Sequence, residues 1–267
     1  MRNCYYIIIL GLFLLSGCTN REAESARHRV NQARMLIDSG NWNQAKKELD
    51  SVHILFPKQV DIRREAKELS DSVLCLEAQR NIQYADSAKQ VILHKLEAAK
   101  RDFRYEHIEK YESCGRFQHR YFYHPGTAAT GLTASVNDDA EVDIRSFLVG
   151  SEIHHNRITL RYNGVELSAS GTSYVVGNQD LSRKPLYIEV ATIDGSDAVQ
   201  LLHFVSSNNA GNIKVILEGR QNYSYTMSKQ TSEALAQTYQ LAVLMRDLRT
   251  AEEQLNRSKA LLYKFQK

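Results

Sequence analysis

The stretch that decides the fold is "LAVLMRDLRTAEEQLNRSKALLYKF", residues 241–265, near the end of the chain. Its apolar residues recur in alternating steps of three and four, which is the heptad spacing of one stripe along an α-helix. The stripe consists of Leu241, Leu244, Leu248, Ala251, Leu255, Ser258, Leu262 and Phe265. Ser228 upstream is a good N-cap candidate. Because such a stripe needs a packing partner, residues 228–267 are predicted to form a long helix that pairs with another helix.

The expected partner is a second long helix, predicted for residues 60–110, where neither proline nor glycine occurs. Its stripe runs through Ile62, Ala66, Leu69, Val73 and Leu76, and it resumes loosely with Ala85, Ala88, Ile92, Leu96, Ala99 and Phe103. The segment between the two helices must begin and end in one place. We therefore expect an antiparallel coiled-coil stalk within one chain. A coiled coil between two copies is the competing arrangement.

Residues 18–59 contain "ARMLIDSGNWNQAKKELDSVHILFPK", which has the spacing of a tetratricopeptide repeat. The matching positions are Ala33, Leu36, Gly40, Trp42, Ala45, Leu49, Val52 and Pro57. Gly40 permits the left-handed turn that ends a first helix, and Pro57 ends the second. Because only one repeat is visible and solenoids stack about three, the prediction is a single repeat-like hairpin. A generic helical hairpin is the alternative.

The hairpin offers one candidate binding surface. Trp42, Asn43 and Lys46 lie at the start of its second helix and would contact a short peptide. The same face would be closed if the next helix covered it.

Between the long helices the sequence changes to the period of strands. Short runs rich in branched and aromatic residues are separated by turn residues such as Asn163-Gly164 and Asp194-Gly195. The runs are "FQHRYFYHP", "GLTASVN", "EVDIRSFLV", "RITLRYNG", "VELSAS", "PLYIEVA", "VQLLHFVSS" and "IKVILEG". We predict an inserted antiparallel β-sandwich or barrel-like domain over residues 111–227, which makes the fold class α+β.

The N-terminus has the features of an export signal. Arg2 supplies a positive charge, and the apolar run from Tyr5 to Leu15 is shorter than the about 20 residues that cross a bilayer. The ending "Leu15-Ser16-Gly17-Cys18" resembles the lipobox of bacterial lipoproteins. The resemblance implies cleavage of residues 1–17 and lipidation of Cys18. An ordinary signal peptide with a chance cysteine is the alternative.

The lipobox also implies a location. In that family a residue other than Asp after the cysteine favours the outer membrane, and this chain has Thr19. A lipid-anchored, periplasm-facing position is the expectation, and exposure on the cell surface stays open.

The whole arrangement resembles a group of Bacteroidetes lipoproteins without an established activity. The resemblance rests on the lipobox and on "KELDSV", "FPKQVDIRREA", "ADSA", "YFYHP", "IHH" and "SEALAQTYQLAVLMRDL". It implies the same organisation of a tetratricopeptide-like hairpin, a β-domain and a C-terminal coiled-coil helix. It implies nothing about substrate or ligand.

Composition and motifs point away from catalysis and nucleic acid. The formal net charge is only +3, and no basic stripe is present. Phosphate loops, nucleophile elbows, dinucleotide fingerprints and His-Glu-x-x-His helices are also absent from the sequence. After removal of the signal and lipidation of Cys18, Cys75 and Cys114 remain, and we expect two unpaired thiols. No enzyme activity, metal or cofactor is predicted.

The nearest cluster that resembles a catalytic or metal site contains His119, His124, His154, His155, His203, Asp138, Asp139 and Asp143. Adjacent residues of a strand face opposite sides, so His154 and His155 are expected to diverge. "Asp194-Gly195-Ser196-Asp197" is expected to be a plain turn, because it lacks the further oxygen ligands of a calcium loop.

Two functions remain. The first is a non-enzymatic interaction protein that presents the β-domain to an envelope protein partner, as a monomer. The second is a carbohydrate-binding lipoprotein whose ligand platform would consist of Tyr121, Tyr123, Tyr223 and Tyr225.

Overall fold

The computed structural model describes residues 21–107, 114–123, 129–177, 187–208 and 211–265. In this part of the chain five helices and two antiparallel sheets form an α+β fold, so the predicted fold class is confirmed. The signal segment 1–17 and Cys18 lie outside the described residues.

The helices divide into a hairpin, two long helices and one short helix. Their bounds are residues 21–38 for α1, Trp42–Leu55 for α2, Val60–Lys100 for α3, Gly195–Ser207 for α4 and Lys229–Phe265 for α5. A single 3-10 turn covers Arg120–Phe122.

The strands form one six-stranded and one four-stranded sheet. The six-stranded sheet has the order β1-β2-β3-β4-β8-β7 and the four-stranded sheet the order β10-β9-β5-β6. The strands are β1 (Phe103–Glu106), β2 (Arg116–His119), β3 (Gly131–Asn137), β4 (Val142–Val149), β5 (Arg157–Tyr162), β6 (Val165–Ser170), β7 (Thr172–Gly177), β8 (Tyr187–Asp194), β9 (Lys214–Glu218) and β10 (Asn222–Thr226).

The contacts divide the chain into two compact units. The first, called here the helical unit, contains the described residues up to Ser87 and those from Ala251 onward. Its core joins α1, α2 and the start of α3. The core residues are Ala26, Val30, Ala33, Leu49, Val52, Ile62 and Ala66. Gly40 has a φ of +75°, so the predicted left-handed turn between α1 and α2 is confirmed.

The second unit, Ala88–Thr250, is called here the β-unit. Both sheets, α4 and the parts of α3 and α5 within this unit share one hydrophobic core. The core residues include Ile144 of the larger sheet, Leu160 of the smaller sheet, Leu202 of α4 and Leu241 of α5. The two sheets are therefore sides of a single folded body.

Helix α5 begins as predicted. The Ser228 hydroxyl accepts a hydrogen bond from the Thr231 backbone N–H at 3.1 Å, which confirms the N-cap. All eight predicted stripe positions, from Leu241 to Phe265, are buried or half-buried. On α3 the stripe is less regular, because Leu76 is 38 % exposed and Ala78 is buried.

Three predicted elements are wrong in detail. "VQLLHFVSS", predicted as a strand, lies in helix α4, whose buried residues Ala198, Leu201, Leu202 and Val205 follow the helical period. The long helix predicted for residues 60–110 ends at Lys100. Strand β1 begins at Phe103 and pairs with β2, so sheet structure starts before residue 111.

Candidate functional site

A buried polar cluster of the β-unit joins Ser146, His155 and Glu189. Ser146 and Glu189 lie on neighbouring strands β4 and β8, where Leu148 pairs with Glu189 and Ser146 pairs with Ala191. Residues that are directly opposite in a sheet share a face, so both side chains point into the core. His155 comes from the connection that precedes β5.

A left-handed residue aims His155 inward. His154 has a φ of +55°, and its side chain is 41 % exposed beside Glu152. His155, the next residue, has no exposed surface. The two histidines therefore diverge as predicted, although their segment is not a strand.

Glu189 holds the backbone of this connection. Its carboxylate accepts the N–H groups of Ile153 at 2.9 Å and of His154 at 3.0 Å, and it also accepts the N–H of His155. The His155 Nδ1 atom lies 2.8 Å from Glu189 Oε1. A carboxylate only accepts hydrogen bonds when ionised, so Nδ1 carries the proton in this arrangement.

The imidazole of His155 completes the cluster. Burial lowers the pKa of His155 below its ordinary value, although Glu189 acts in the opposite direction. A neutral ring with a proton on Nδ1 leaves Nε2 as an acceptor, and Ser146 Oγ lies within hydrogen-bond distance of it. The order of hydrogen bonds, from hydroxyl to imidazole to carboxylate, is that of a catalytic triad.

This cluster is not accessible to solvent. Ser146 and His155 are 0 % exposed and Glu189 is 1 % exposed. A nucleophile acts only where a substrate carbonyl can approach its oxygen, and the core packing leaves no such approach in the folded state. The arrangement therefore acts as a structural lock that fixes residues 153–155 to the sheet.

A second contact holds the same residues from the turn between β9 and β10. The Arg220 backbone N–H donates to the Ile153 carbonyl at 2.6 Å. A Cβ atom on Gly219 would lie 2.2 Å from that carbonyl oxygen. Glycine at position 219 is therefore required for this close approach.

The other predicted histidines and acids do not meet in one place. His119 Nε2 lies 2.6 Å from Gln237 Oε1, and the His203 ring packs against Tyr239 with centroids 5.6 Å apart. Asp143 pairs with Arg116 at 3.1 Å, and Asp139 pairs with Arg249 at 3.1 Å. His124 lies outside the described residues.

The described part of the chain contains neither a metal site nor a disulfide. No three His, Cys, Asp or Glu side chains lie close enough there to hold a metal ion. No disulfide joins Cys75 to Cys114. The Cys114 thiol donates to Asp139 Oδ2 at 3.2 Å.

The four tyrosines proposed as a ligand platform lie on two different elements. Tyr121 and Tyr123 follow β2, and the Arg104 guanidinium lies 3.9 Å from the Tyr123 ring centroid. Tyr223 and Tyr225 lie on β10 with ring centroids 6.3 Å apart. The Tyr225 hydroxyl is buried without a hydrogen-bond partner, and burial raises the pKa of Tyr225.

The predicted peptide surface of the hairpin faces α3. The Arg80 guanidinium lies 4.5 Å from the Trp42 ring centroid, and Lys46 Nζ lies 2.7 Å from Glu77 Oε1. Asn43 is exposed. Trp42 and Lys46 are thus engaged by α3, which is the alternative that the sequence left open for this surface.

Strand β7 is a surface that the sequence interpretation missed. It ends the order of the six-stranded sheet and pairs only with β8 among the described strands. Tyr174 is 52 %, Val175 40 % and Val176 44 % exposed, and the strand contains no charged residue. Natural edge strands are usually protected by charges, prolines or bulges. The run "TSYVVG", rich in branched and aromatic residues, was the available signal.

No protein-family model matches the chain, and no curated protein or solved structure has significant similarity to it. Among the described residues, no helix combines the length and the apolar character that a membrane span requires.

Proposed function

We propose that this chain is a membrane-anchored, non-enzymatic interaction protein of the cell envelope. In this proposal Cys18 carries the lipid that holds the chain at the outer membrane, facing the periplasm. The β-unit contacts a protein partner. The observation that carries the proposal is the exposed, uncharged edge strand β7.

The free backbone groups and side chains of an edge strand determine which kind of peptide segment can pair with it. Outward N–H and C=O groups of β7 can pair with an extended segment of another protein, which adds a strand to the sheet. The exposed Tyr174, Val175 and Val176 provide apolar contacts on both faces of that strand. The absence of charge on Thr172–Gly177 favours an uncharged segment rich in branched residues.

Two further features support a non-enzymatic role. The only Ser-His-acid arrangement that we identify among the described residues is buried, and it satisfies its own hydrogen bonds. Of the other predicted histidines and acids, His119 contacts Gln237 and Asp143 pairs with Arg116, so neither belongs to a shared catalytic cluster.

The finer architecture belongs to the same proposal. We infer that α3 and α5 pair antiparallel within one chain as a coiled-coil stalk, which the continuous burial of the α5 stripe supports. The hairpin of α1 and α2 is proposed to be tetratricopeptide-like. The left-handed Gly40 and the fully buried Ala45 and Leu49 support this.

Carbohydrate binding is the second candidate function. Tyr123 is 40 % and Tyr223 is 39 % exposed, so each offers ring surface for a sugar. Binding on a glycan array that disappears in Tyr223→Ala but persists in Val175→Lys would favour this function over protein binding.

The interaction proposal is tested by crosslinking in living cells. A photoreactive amino acid replaces Val175 on β7 or, as a control, Val91, which is 56 % exposed on α3. We expect one envelope protein to crosslink reproducibly at position 175 and not at position 91. Equal yields at the two positions, or crosslinks to lipid alone, would contradict the proposal.

The anchor has its own test. Cys18→Ala should abolish incorporation of labelled palmitate and release the protein from the membrane fraction. Unchanged labelling and fractionation would show that Cys18 is not the attachment point.

A further inference from the structure

An open cleft of about 600 Å³ lies on the β-unit beside strands of the four-stranded sheet, whereas β7 belongs to the six-stranded sheet. It is formed by the β5–β6 hairpin, the exposed side of α4 and Tyr239 of α5. Its volume lies in the range of small-molecule sites, which is about 300–1,000 Å³. Of the described residues that line it, none is Asp, Glu, Lys or Arg.

The lining of this first cleft suits an apolar body. Tyr162, Phe204 and Tyr239 are half-buried, so part of each ring stays accessible. Val165 is 60 % exposed and Leu167 lies beside it on the same face of β6. Water covers this apolar surface in the free protein, and an apolar ligand would release that water.

Gly211 helps to hold one wall of the cleft. A Cβ atom at this position would lie 2.1 Å from Cε2 of Tyr162. The backbone therefore supports the Tyr162 ring directly, and the ring is placed by the fold rather than by a ligand.

A second cleft of about 490 Å³ adjoins the first and shares Tyr162 and Asn163 with it. Its lining is polar and includes Arg161 and Lys214, which are paired on neighbouring strands β5 and β9. Glu166 Oε1 lies 2.5 Å from Arg161 Nε and offsets that charge. For Lys214 the described residues provide no ion pair, so this end of the groove keeps one positive charge.

We propose that the two clefts together bind an amphiphile with an apolar body and a single anionic head group. The body lies against Tyr162, Val165 and Tyr239, and the head group lies beside Lys214. This inference does not depend on the function proposed above, because it uses neither β7 nor the anchor.

Titration calorimetry of the full chain with dodecanoate, kept below the concentration at which it forms micelles, tests the proposal. We expect saturable binding of one molecule per chain. Dodecan-1-ol should bind about tenfold more weakly, because it lacks the charge that Lys214 recognises. Dodecylammonium should bind more weakly still. Equal affinity for dodecylammonium and dodecanoate would overturn the proposal.

Matched variants separate the two ends of the groove. Lys214→Gln should lower the affinity for dodecanoate by about tenfold and leave the affinity for dodecan-1-ol unchanged. Val165→Asn changes an exposed residue and should lower the affinity for both ligands by about tenfold. Lys95→Gln removes an exposed lysine of α3 and should change neither affinity.

Two results would refute the placement of the ligand. One is a loss of affinity in His203→Gln and not in Lys214→Gln, which would put the head group at the other end of the first cleft. The other is an unchanged affinity in Val165→Asn, which would show that dodecanoate binds elsewhere.

Discussion

His155 makes the stability of the fold depend on pH. Burial lowers its pKa in the folded state, whereas the unfolded chain protonates near the ordinary value of about 6.5. Below that pH the unfolded state binds more protons, so the contribution of His155 is complete above about pH 6.5 and is lost as the pH falls.

Between about pH 7 and pH 5 we therefore expect the free energy of unfolding to decrease less steeply with falling pH in His155→Gln than in the wild type. Urea titrations at several pH values measure this slope. His203→Gln, which changes an exposed histidine, should keep the wild-type slope. A His155→Gln variant with the full wild-type slope would show that another group titrates.

Tyr225 and Tyr223 form a matched pair two residues apart on β10. The Tyr225 hydroxyl is buried without a partner, whereas Tyr223 is 39 % exposed. Tyr225→Phe removes an unsatisfied polar group, so we expect the free energy of unfolding to rise by about 1 kcal/mol. Tyr223→Phe should change it by less than about 0.5 kcal/mol. A destabilised Tyr225→Phe variant would mean that the hydroxyl makes a hydrogen bond in solution.

Gly219 is a glycine at which we expect a methyl group to be costly, because the added atom would meet backbone. Gly219→Ala would force a Cβ atom against the Ile153 carbonyl and disturb the residues that Glu189 holds. We expect a loss of about 3 kcal/mol, since backbone must move. Gly131→Ala, where no atom lies within 4 Å of the added Cβ, is the control and should change stability by less than about 1 kcal/mol. Equal effects of the two variants would contradict the role of Gly219.

Single helices show how far the sequence predicts structure. The α5 stripe is predictable because it repeats over many residues. Its N-cap is predictable because it depends on one residue next to the helix. The sequence suggests a strand for α4 because Val199, Phe204 and Val205 are residue types that favour strands. The spacing of Ala198, Leu201, Leu202 and Val205 nevertheless has a helical period.

The cap of α5 gives a prediction at the same scale. Ser228→Ala removes the acceptor for the Thr231 N–H, and we expect a loss of about 1 kcal/mol in the free energy of unfolding. Ser228→Asp keeps an acceptor and should restore most of the stability. Thermal or urea unfolding measures both. If Ser228→Asp is as unstable as Ser228→Ala, the capping explanation is wrong.

The Ser146–His155–Glu189 cluster could not be predicted from residue types alone. His155 lies 34 positions from Glu189, and only the register of β4 with β8 brings Ser146 beside them. The exposure of β7 has the same origin, because a strand becomes an edge only through the order of the whole sheet. Residue types can indicate a strand such as β7, but they do not indicate which strands become neighbours and which become edges.

For the whole molecule, pairing of α3 with α5 within one chain predicts a monomer. Light scattering of the detergent-free Cys18→Ala variant should give the mass of a single chain over a wide range of concentration. A stable dimer whose dissociation unfolds residues 228–265 would contradict pairing within the chain. A dimer abolished by Val175→Lys would instead identify β7 as the contact.

Trp42 is the only tryptophan of the chain, and it packs against Arg80 inside the helical unit. Its fluorescence therefore reports on one unit alone, whereas the circular dichroism signal comes from both. A substitution that weakens only the β-unit, such as Gly219→Ala, should shift the dichroism transition and leave the emission transition in place if the units unfold independently. Coincident shifts would mean that the continuous helices α3 and α5 transmit unfolding from one unit to the other. The chain thus carries a built-in optical probe of folding cooperativity.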